Sequence, residues 1–349
     1  MHDNTRAPAS GDPRISVVIV GRDGIQSLRP ILSCLCEQTI ADRMEVIAVL
    51  PSDRFADNAL DAWSDRFRRV RTVATGVIGN RGRAAAAGVR VATAPVLAFT
   101  ENHCFPDPDW AECLCCRHDE SRVAGVAPII LNANPESALS WAIYGAGYAA
   151  FATPGPSREI AEMPMHNASY RRELLVPLDN ELEDLLGHEG NLQRRLRAQG
   201  HRFLLDPAAR SRHINEATWS LVLGLNFANG RRYGGRRGQD WAWPRRAVYA
   251  ALFPLLSANI AREALRRLRA CDPPPPRRAG LIPAIWLESL AHAAGEAVGY
   301  LSGPRDEFGF VDEDEFMILE RIGNRRISDA RIAGFVAQAA PVESKKYWS

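Results

Sequence analysis

The chain has 349 residues, 46% of them hydrophobic and 24% charged, with 26 Gly, 23 Pro and a formal net charge of +2 at pH 7. These values exclude a disordered chain, a collagen-like repeat and a small disulfide scaffold, and the length suffices for about two domains with their own cores. Of the 43 basic residues only Lys345 and Lys346 are lysines, so the other 41 are arginines; a coding composition favouring Arg and Ala accounts for most of them. Seven cysteines are an odd number for a disulfide framework, and Cys113, Cys115 and Cys116 crowd one segment. A reduced compartment follows, and without a second pair at zinc-ligand spacing the thiols read as structural. Residues 1–13 lack an apolar run and are expected as a disordered tail, neither signal peptide nor anchor. Asn167-Ala168-Ser169 fits a glycosylation acceptor, which matters only in a secreted protein.

In chain order, residues 15–20 (ISVVIV) form a β-branched run ending at Gly21, and residues 44–50 form another ending at Pro51. Between them Leu28, Ile31, Leu32 and Leu35 recur at helical spacing, so the segment reads as one parallel strand-helix-strand unit. A short strand near 70–73, an Ala-rich helix around 83–92 and a strand over 96–99 continue the alternation. The pattern predicts an α/β fold with a doubly wound parallel sheet, whose ligands gather at the carboxyl ends of the strands. The loops after Val20, Leu50 and Phe99 are therefore where chemistry is expected. Further on come a strand-like run over 126–131, an Ala/Gly/Tyr-rich segment over 141–152, a Pro/Gly loop over 153–156 and helical spacing over 182–196. Two apolar stretches, 247–261 and 279–303, flank a linker containing Pro273 to Pro276, and an acidic patch over 312–315 precedes a polar tail. No internal repeat is visible.

Four segments follow one another across roughly residues 14–215: ISVVIVGRDGIQSLRPILSCLCEQT, AAAAGVRVATAPVLAFTENHCFPDPDW, HNASYRRELL and HEGNLQRRLRAQGHRFLLDPAARSRH. Together they resemble the family 2 glycosyltransferases, which use the nucleotide-sugar-binding GT-A fold. The first looks like the family's opening strand and helix with its Gln-Thr ending. The second is similar to the helix, strand and metal loop that end in Pro-Asp-Pro-Asp-Trp. The third resembles the acceptor-side segment, and the fourth the catalytic helix followed by a strand and a closing His.

Sugar transfer from a nucleoside diphosphate needs the leaving diphosphate neutralised, usually by a divalent cation on carboxylates, and a base for the acceptor hydroxyl. Where the family carries an Asp-rich triplet, this chain has Glu101, Asn102 and His103. A Glu and a His two residues apart can ligate an ion, and His213, at the closing-His position, could supply a third ligand; imidazole shifts the choice from Mg²⁺ towards Mn²⁺. The alternative is that these loop residues bind nothing. Glu189 stands where the family has its catalytic Asp, which implies a general base for inverting displacement at the anomeric carbon. A carboxylate that merely favours a helix start is the other reading. His188 beside it is a second catalytic candidate or a hydrogen-bond partner. Asp53 follows the strand end where the family reads the nucleotide base, and Asp23, Arg81, Arg83 and Asn102 complete the candidate nucleotide and diphosphate contacts.

Residues 245–269 have an apolar centre of fifteen residues, AVYAALFPLLSANIA, flanked by Arg245, Arg246, Arg262, Arg266, Arg267 and Arg269. At ~1.5 Å rise per residue this falls short of a ~30 Å hydrocarbon core, and Pro254 interrupts it, so a helix lying on anionic headgroups is expected rather than a span. The stretch LIPAIWLESLAHAAGEAVGYLSG puts Glu288, His292 and Glu296 on one helical face, expected as the polar face an interfacial helix needs. Packing of both stretches as ordinary core is the alternative. The Gly-Glu-x-x-Gly-Tyr ending resembles tails of membrane-associated bacterial family members. Arg231, Arg232, Arg236 and Arg237 surround Tyr233 without a nucleic-acid-binding fold, so no nucleic acid is expected; in the family's terms a flexible segment here would close over donor and acceptor.

The expected organisation is a GT-A domain over 14–240, an interfacial helical extension over 241–310 and a polar tail over 311–349. The resemblance implies inverting transfer of a sugar from a nucleotide-sugar donor to a lipid-linked or polysaccharide-precursor acceptor, with a Mn²⁺ or Mg²⁺ cofactor, in the cytoplasm at the inner face of a bacterial membrane. The competing expectation is a non-catalytic GT-A-like protein that binds a nucleotide, glycan or partner enzyme.

Overall fold

The structure, a computed structural model, describes residues 11–52, 58–120, 122–164, 166–187, 190–271, 279–303 and 327–337. The chain divides into two compact units: Met1–Ile129, Pro156–Arg212 and Gly334–Ser349 form the first, and Ile130–Gly155 and His213–Ala333 the second. This division cuts through the stretch expected to run as one domain from 14 to 240.

In the first unit β1 (Ile15–Val20), α1 (Arg29–Leu35), β2 (Met44–Pro51), β3 (Arg69–Thr75), α2 (Arg81–Val91) and β4 (Val96–Phe99) follow the expected alternation. β1 pairs in parallel with β2 and β4, and β2 with β3. Every residue of β1 and β2 is buried, which is why both read as near-continuous apolar runs, interrupted by Ser16 and Glu45, rather than alternating ones. Gly88 lets α2 lie on this sheet, since a Cβ there would meet Val18 Cγ1 at 2.5 Å. At the amino ends of the strands Glu45 is buried and accepts from Ser16 Oγ at 2.6 Å, Thr93 N at 2.7 Å and Arg71 Nε at 2.9 Å. Burial alone would raise its carboxyl, but these donors outweigh it and hold the group below its ordinary range.

The parallel pattern ends at β4. β5 (Cys104–Pro106), β6 (Val123–Asn132), β7 (Arg158–Ile160), β8 (Ser169–Arg171) and β9 (Arg202–His213), with α3 (Trp110–His118) between β5 and β6, complete among the described residues a nine-stranded sheet of order β3-β2-β1-β4-β8-β6-β9-β5, with β7 on β9. β8 is antiparallel to both β4 and β6, and β7 to β9. The doubly wound parallel sheet is thus corrected to a mixed one, because three-residue strands such as β7 and β8 leave no periodic signature and antiparallel neighbours need no crossover helix. The helix expected over 182–196 is also corrected: α5 (Arg172–Leu175) is followed by α6 (Asp179–Leu186) and α7 (Asn191–Ala198). Gly190 takes a φ of 78°, which a continuous right-handed helix excludes.

The second unit is helical, with α4 (Ala138–Ala146), α8 (Trp219–Arg237), α9 (Trp243–Ala251), α10 (Phe253–Ala270) and α11 (Leu281–Ser302). Its core joins Leu139, Trp141, Tyr144, Val222, Leu268 and Ile285. Residues 231–237, expected as a flexible closing segment, belong instead to the regular helix α8, packed on α11 through Gly230, Gly234, Gly295 and Gly299. A Cβ at any of these would stand 2.0–2.2 Å from a carbonyl oxygen of the other helix, the close approach that Gly-x-x-x-Gly spacing permits. The polarity of α11 is the reverse of the expectation. Glu288 and Glu296 are 1% and 2% exposed, whereas Ile282, Trp286, Leu287, Leu290 and Leu301 face solvent. Glu296 accepts from Tyr300 Oη and lies 3.5 Å from Arg237, while burial pushes the Glu288 carboxyl up to about 8. Among the described residues no helix is long and apolar enough to cross a membrane.

A last helix, α12 (Ala330–Ala337), lies in the segment expected as polar tail. Its Phe335 stacks on Phe105 of β5 with ring centroids 6.4 Å apart, so this part of the tail contributes apolar packing to the first unit. The acidic patch over 312–315 and residues 1–10 lie outside the described residues. All seven cysteines are free thiols, and Cys34, Cys104, Cys115 and Cys271 are buried.

Candidate functional site

The candidate site gathers at the carboxyl ends of the parallel strands. β4 ends at Phe99 and leads directly into Glu101, Asn102 and His103, all buried. α2 starts after the loop that follows β3, with Asn80 as its N-cap: Asn80 Oδ1 accepts from Arg83 N at 2.9 Å, and Asn80 Nδ2 donates to Gly187 O at 3.2 Å. This fixed first turn carries Arg81, whose Nη1 lies 3.2 Å from Glu101 Oε1, with side chains 5% and 0% exposed. A charge pair this deep persists only where further hydrogen bonds complete it. Asn167, from the loop before β8, supplies them. Its Nδ2 donates to Glu101 Oε2 at 2.5 Å, and its Oδ1 accepts from the Glu101 N–H at 3.2 Å and from Thr100 Oγ1 at 3.4 Å.

His103 Nε2 lies 4.0 Å from Glu101 Oε2, and His103 Nδ1 lies 2.8 Å from Asn102 Oδ1. The tautomer that donates from Nδ1 to Asn102 leaves the Nε2 lone pair on the Glu101 side, the arrangement in which a neighbouring acceptor orients an imidazole ligand. A carboxylate oxygen and an imidazole nitrogen form a mixed donor set compatible with a transition ion such as Mn²⁺, so the residues present fit the expected cation.

His213, the last residue of β9 and the first of the second unit, is buried; its Nδ1 is 3.1 Å from Asn215 Oδ1 and its ring 4.3 Å from that of Tyr148. Asp23 lies half-buried in the turn after β1, at the same carboxyl edge of the first unit as Glu101. Arg83 is turned to the surface, 3.4 Å from Asp184 of α6, so Arg81 and Arg83 do not face one place. Residues two apart on a helix point to different sides, which the sequence pairing of the two arginines overlooked. Asp53, His188 and Glu189 lie outside the described residues.

Asn167 is the contributor that sequence reasoning missed. It stands in HNASYRRELL, which resembled the acceptor-side segment and fitted a glycosylation acceptor, but neither reading gave Asn167 itself a role in the site. Its partner Glu101 is 66 residues away, and no local signal marks that contact.

The sequence matches no family model and no curated protein sequence. Among solved structures the chain is similar to GalNAc-T7 with UDP, GalNAc and Mn²⁺, at 16% identity, covering 58% of this chain and 43% of that one with a TM-score of 0.45. It therefore spans less than half the length of that protein. It is also similar to the mannosyltransferase PcManGT from Pyrobaculum calidifontis in complex with GDP-Man and Mn²⁺, at 16% identity, covering 85% of this chain and 90% of that one with a TM-score of 0.49.

Proposed function

We propose that this chain is a GT-A glycosyltransferase of the family 2 type, transferring a sugar with inversion from a nucleotide-sugar donor to a lipid-linked or polysaccharide-precursor acceptor. The observation that carries the reading is the buried group of Arg81, Glu101 and His103 at the carboxyl edge of the parallel strands, where α/β sheets bind ligands. Glu101 and His103 are suited to hold Mn²⁺ or Mg²⁺ in place, with Asn102 and Asn167 orienting them. When bound, such an ion neutralises charge on the leaving diphosphate. His213 is assigned to the same ion on the support of its place at the end of the fourth sequence segment. Arg81 offers its fork to phosphate oxygens, and Asp23, Asp53 and Arg83 are assigned to the nucleotide side. Glu189 takes the proton of the acceptor hydroxyl, with His188 beside it; their support is their place in the fourth sequence segment.

The reading extends to a peripheral seat on the cytoplasmic face of an anionic membrane. Its support is the outer surface of the second unit, where Leu255 and Trp243 are 69% and 67% exposed and Ile282, Trp286 and Leu290 also face solvent. Arg245, Arg262, Arg266 and Arg269 are exposed on the same helices. Large apolar side chains interleaved with arginines suit the boundary between acyl chains and headgroups.

Calorimetry with UDP- and GDP-sugars, with and without Mn²⁺, tests the donor assignment. Donor binding that tightens with Mn²⁺ is expected. Glu189→Gln should retain that binding and lose at least about 100-fold in turnover, the scale of general-base catalysis. A chain that binds no donor under either condition is the non-catalytic protein of the competing reading.

A further inference from the structure

We propose that Arg81 and the divalent ion compete for the carboxylate of Glu101, and that a nucleoside diphosphate ends the competition by drawing Arg81 onto its own oxygens. Ion and donor then bind cooperatively. The inference rests on the donor-and-ion reading above and adds the device that couples the two.

Three observations carry it. Both oxygens of Glu101 are engaged: Oε1 lies 3.2 Å from Arg81 Nη1, and Oε2 accepts from Asn167 Nδ2 at 2.5 Å while lying 4.0 Å from His103 Nε2. An ion held by Glu101 and His103 would therefore stand beside a guanidinium. The second observation is burial, because with Arg81 and Glu101 both out of solvent the repulsion between guanidinium and ion is weakly screened. The third is chemical. A guanidinium keeps its charge in proteins, so moving it to another anion relieves the repulsion.

A diphosphate is suited to receive it. Phosphate oxygens accept the two parallel N–H bonds of a guanidinium as a carboxylate does, and a diphosphate carries more charge than one carboxylate. Once Arg81 has changed partner, Oε1 of Glu101 is released to the ion, while Asn167 keeps the Glu101 backbone in position through its Oδ1. Binding linkage then requires that the ion raise nucleotide affinity by the same factor by which the nucleotide raises ion affinity.

The test is Mn²⁺ binding to the full chain, measured by calorimetry alone and with saturating UDP or GDP, corrected for Mn²⁺ binding to the free nucleotide. Nucleotide should tighten Mn²⁺ binding at least tenfold in the native chain. Without nucleotide, Arg81→Gln should bind Mn²⁺ about tenfold more tightly than the native chain, with most of the coupling lost. Arg81→Lys, which keeps the charge, should retain weak binding of the ion alone. An Arg81→Gln protein with native circular dichroism and unchanged Mn²⁺ affinity overturns the inference. Should that variant not fold, the native chain decides: Mn²⁺ and nucleotide that both bind, but independently, overturn the coupling and leave the donor-and-ion reading standing. A native chain that binds neither removes both.

Discussion

Gly230 faces the main-chain oxygen of His292 so closely that a Cβ on it would stand 2.0 Å from that atom. The contact is reciprocal, since a Cβ on Gly295 would stand 2.0 Å from Phe227 O. Neither neighbour can give way, because both are helix backbone. Gly230→Ala and Gly295→Ala should each force α8 and α11 apart and destabilise the second unit by about 1–3 kcal/mol or more, the range for overpacking. Thermal unfolding checks this against Gly334→Ala, where a Cβ meets nothing within 4 Å; there alanine should be neutral or stabilising by up to ~1 kcal/mol.

Glu288 gives stability a pH dependence of predictable sign. Burial raises its carboxyl from 4.5 to about 8, so the folded chain holds a proton there that the unfolded chain has released. The contribution is complete below about pH 4.5 and is lost as pH rises through about 8, and buried Glu296, also raised chiefly by burial, adds to the same slope. At roughly 1.4 kcal/mol per pKa unit the loss reaches a few kcal/mol. Urea midpoints between pH 5 and 8.5 should fall for the native chain and fall less for Glu288→Gln. Parallel profiles for the two proteins would contradict the assignment.

Glu101→Gln removes the counter-charge of Arg81 while keeping the shape of the side chain. A buried charge left unpaired typically costs about 3–5 kcal/mol, so the variant should lose stability on that scale along with Mn²⁺ binding. Pairing it with Arg81→Gln should restore much of the stability without restoring the ion. Urea unfolding of both single variants and the double variant measures this, and strict additivity would show that the pair is not a unit.

The outer face of the helical unit can be altered without touching its core. Trp243, Leu255 and Ile282 are 67%, 69% and 58% exposed, so replacing all three with Ser should leave the melting temperature within about 5 °C, as three surface changes of up to ~0.5 kcal/mol each do. The same triple variant should float less with anionic liposomes than the native chain. Equal flotation would remove the membrane seat. Substitution is a better test than deleting the tail from residue 241, because that deletion would strip α11 from α8 and expose their glycine contact.

Sequence by itself determined the strand-helix-strand opening, the position of Glu101 and His103 just past a strand end, and the helical character of the apolar stretches over 247–261 and 279–303. Each of these is a local property, written in the period or composition of a short run. Tertiary structure alone decided that β8 enters antiparallel between β4 and β6, that Asn167 and Arg81 meet on Glu101, and that the chain divides at residues 130, 156, 213 and 334. Contacts between distant segments leave no periodic trace. The case of α11 is the most instructive, because spacing put Glu288, His292 and Glu296 on one face but could not say which way that face pointed. Helical periodicity supplies the axis of amphipathicity, and the partner helix supplies its sign. Here that partner is α8, whose glycines let the backbones approach on a side of α11 that buries Glu288 and Glu296 together with Ile285, Ala293 and Tyr300, while Ile282, Trp286 and Leu290 are left outside.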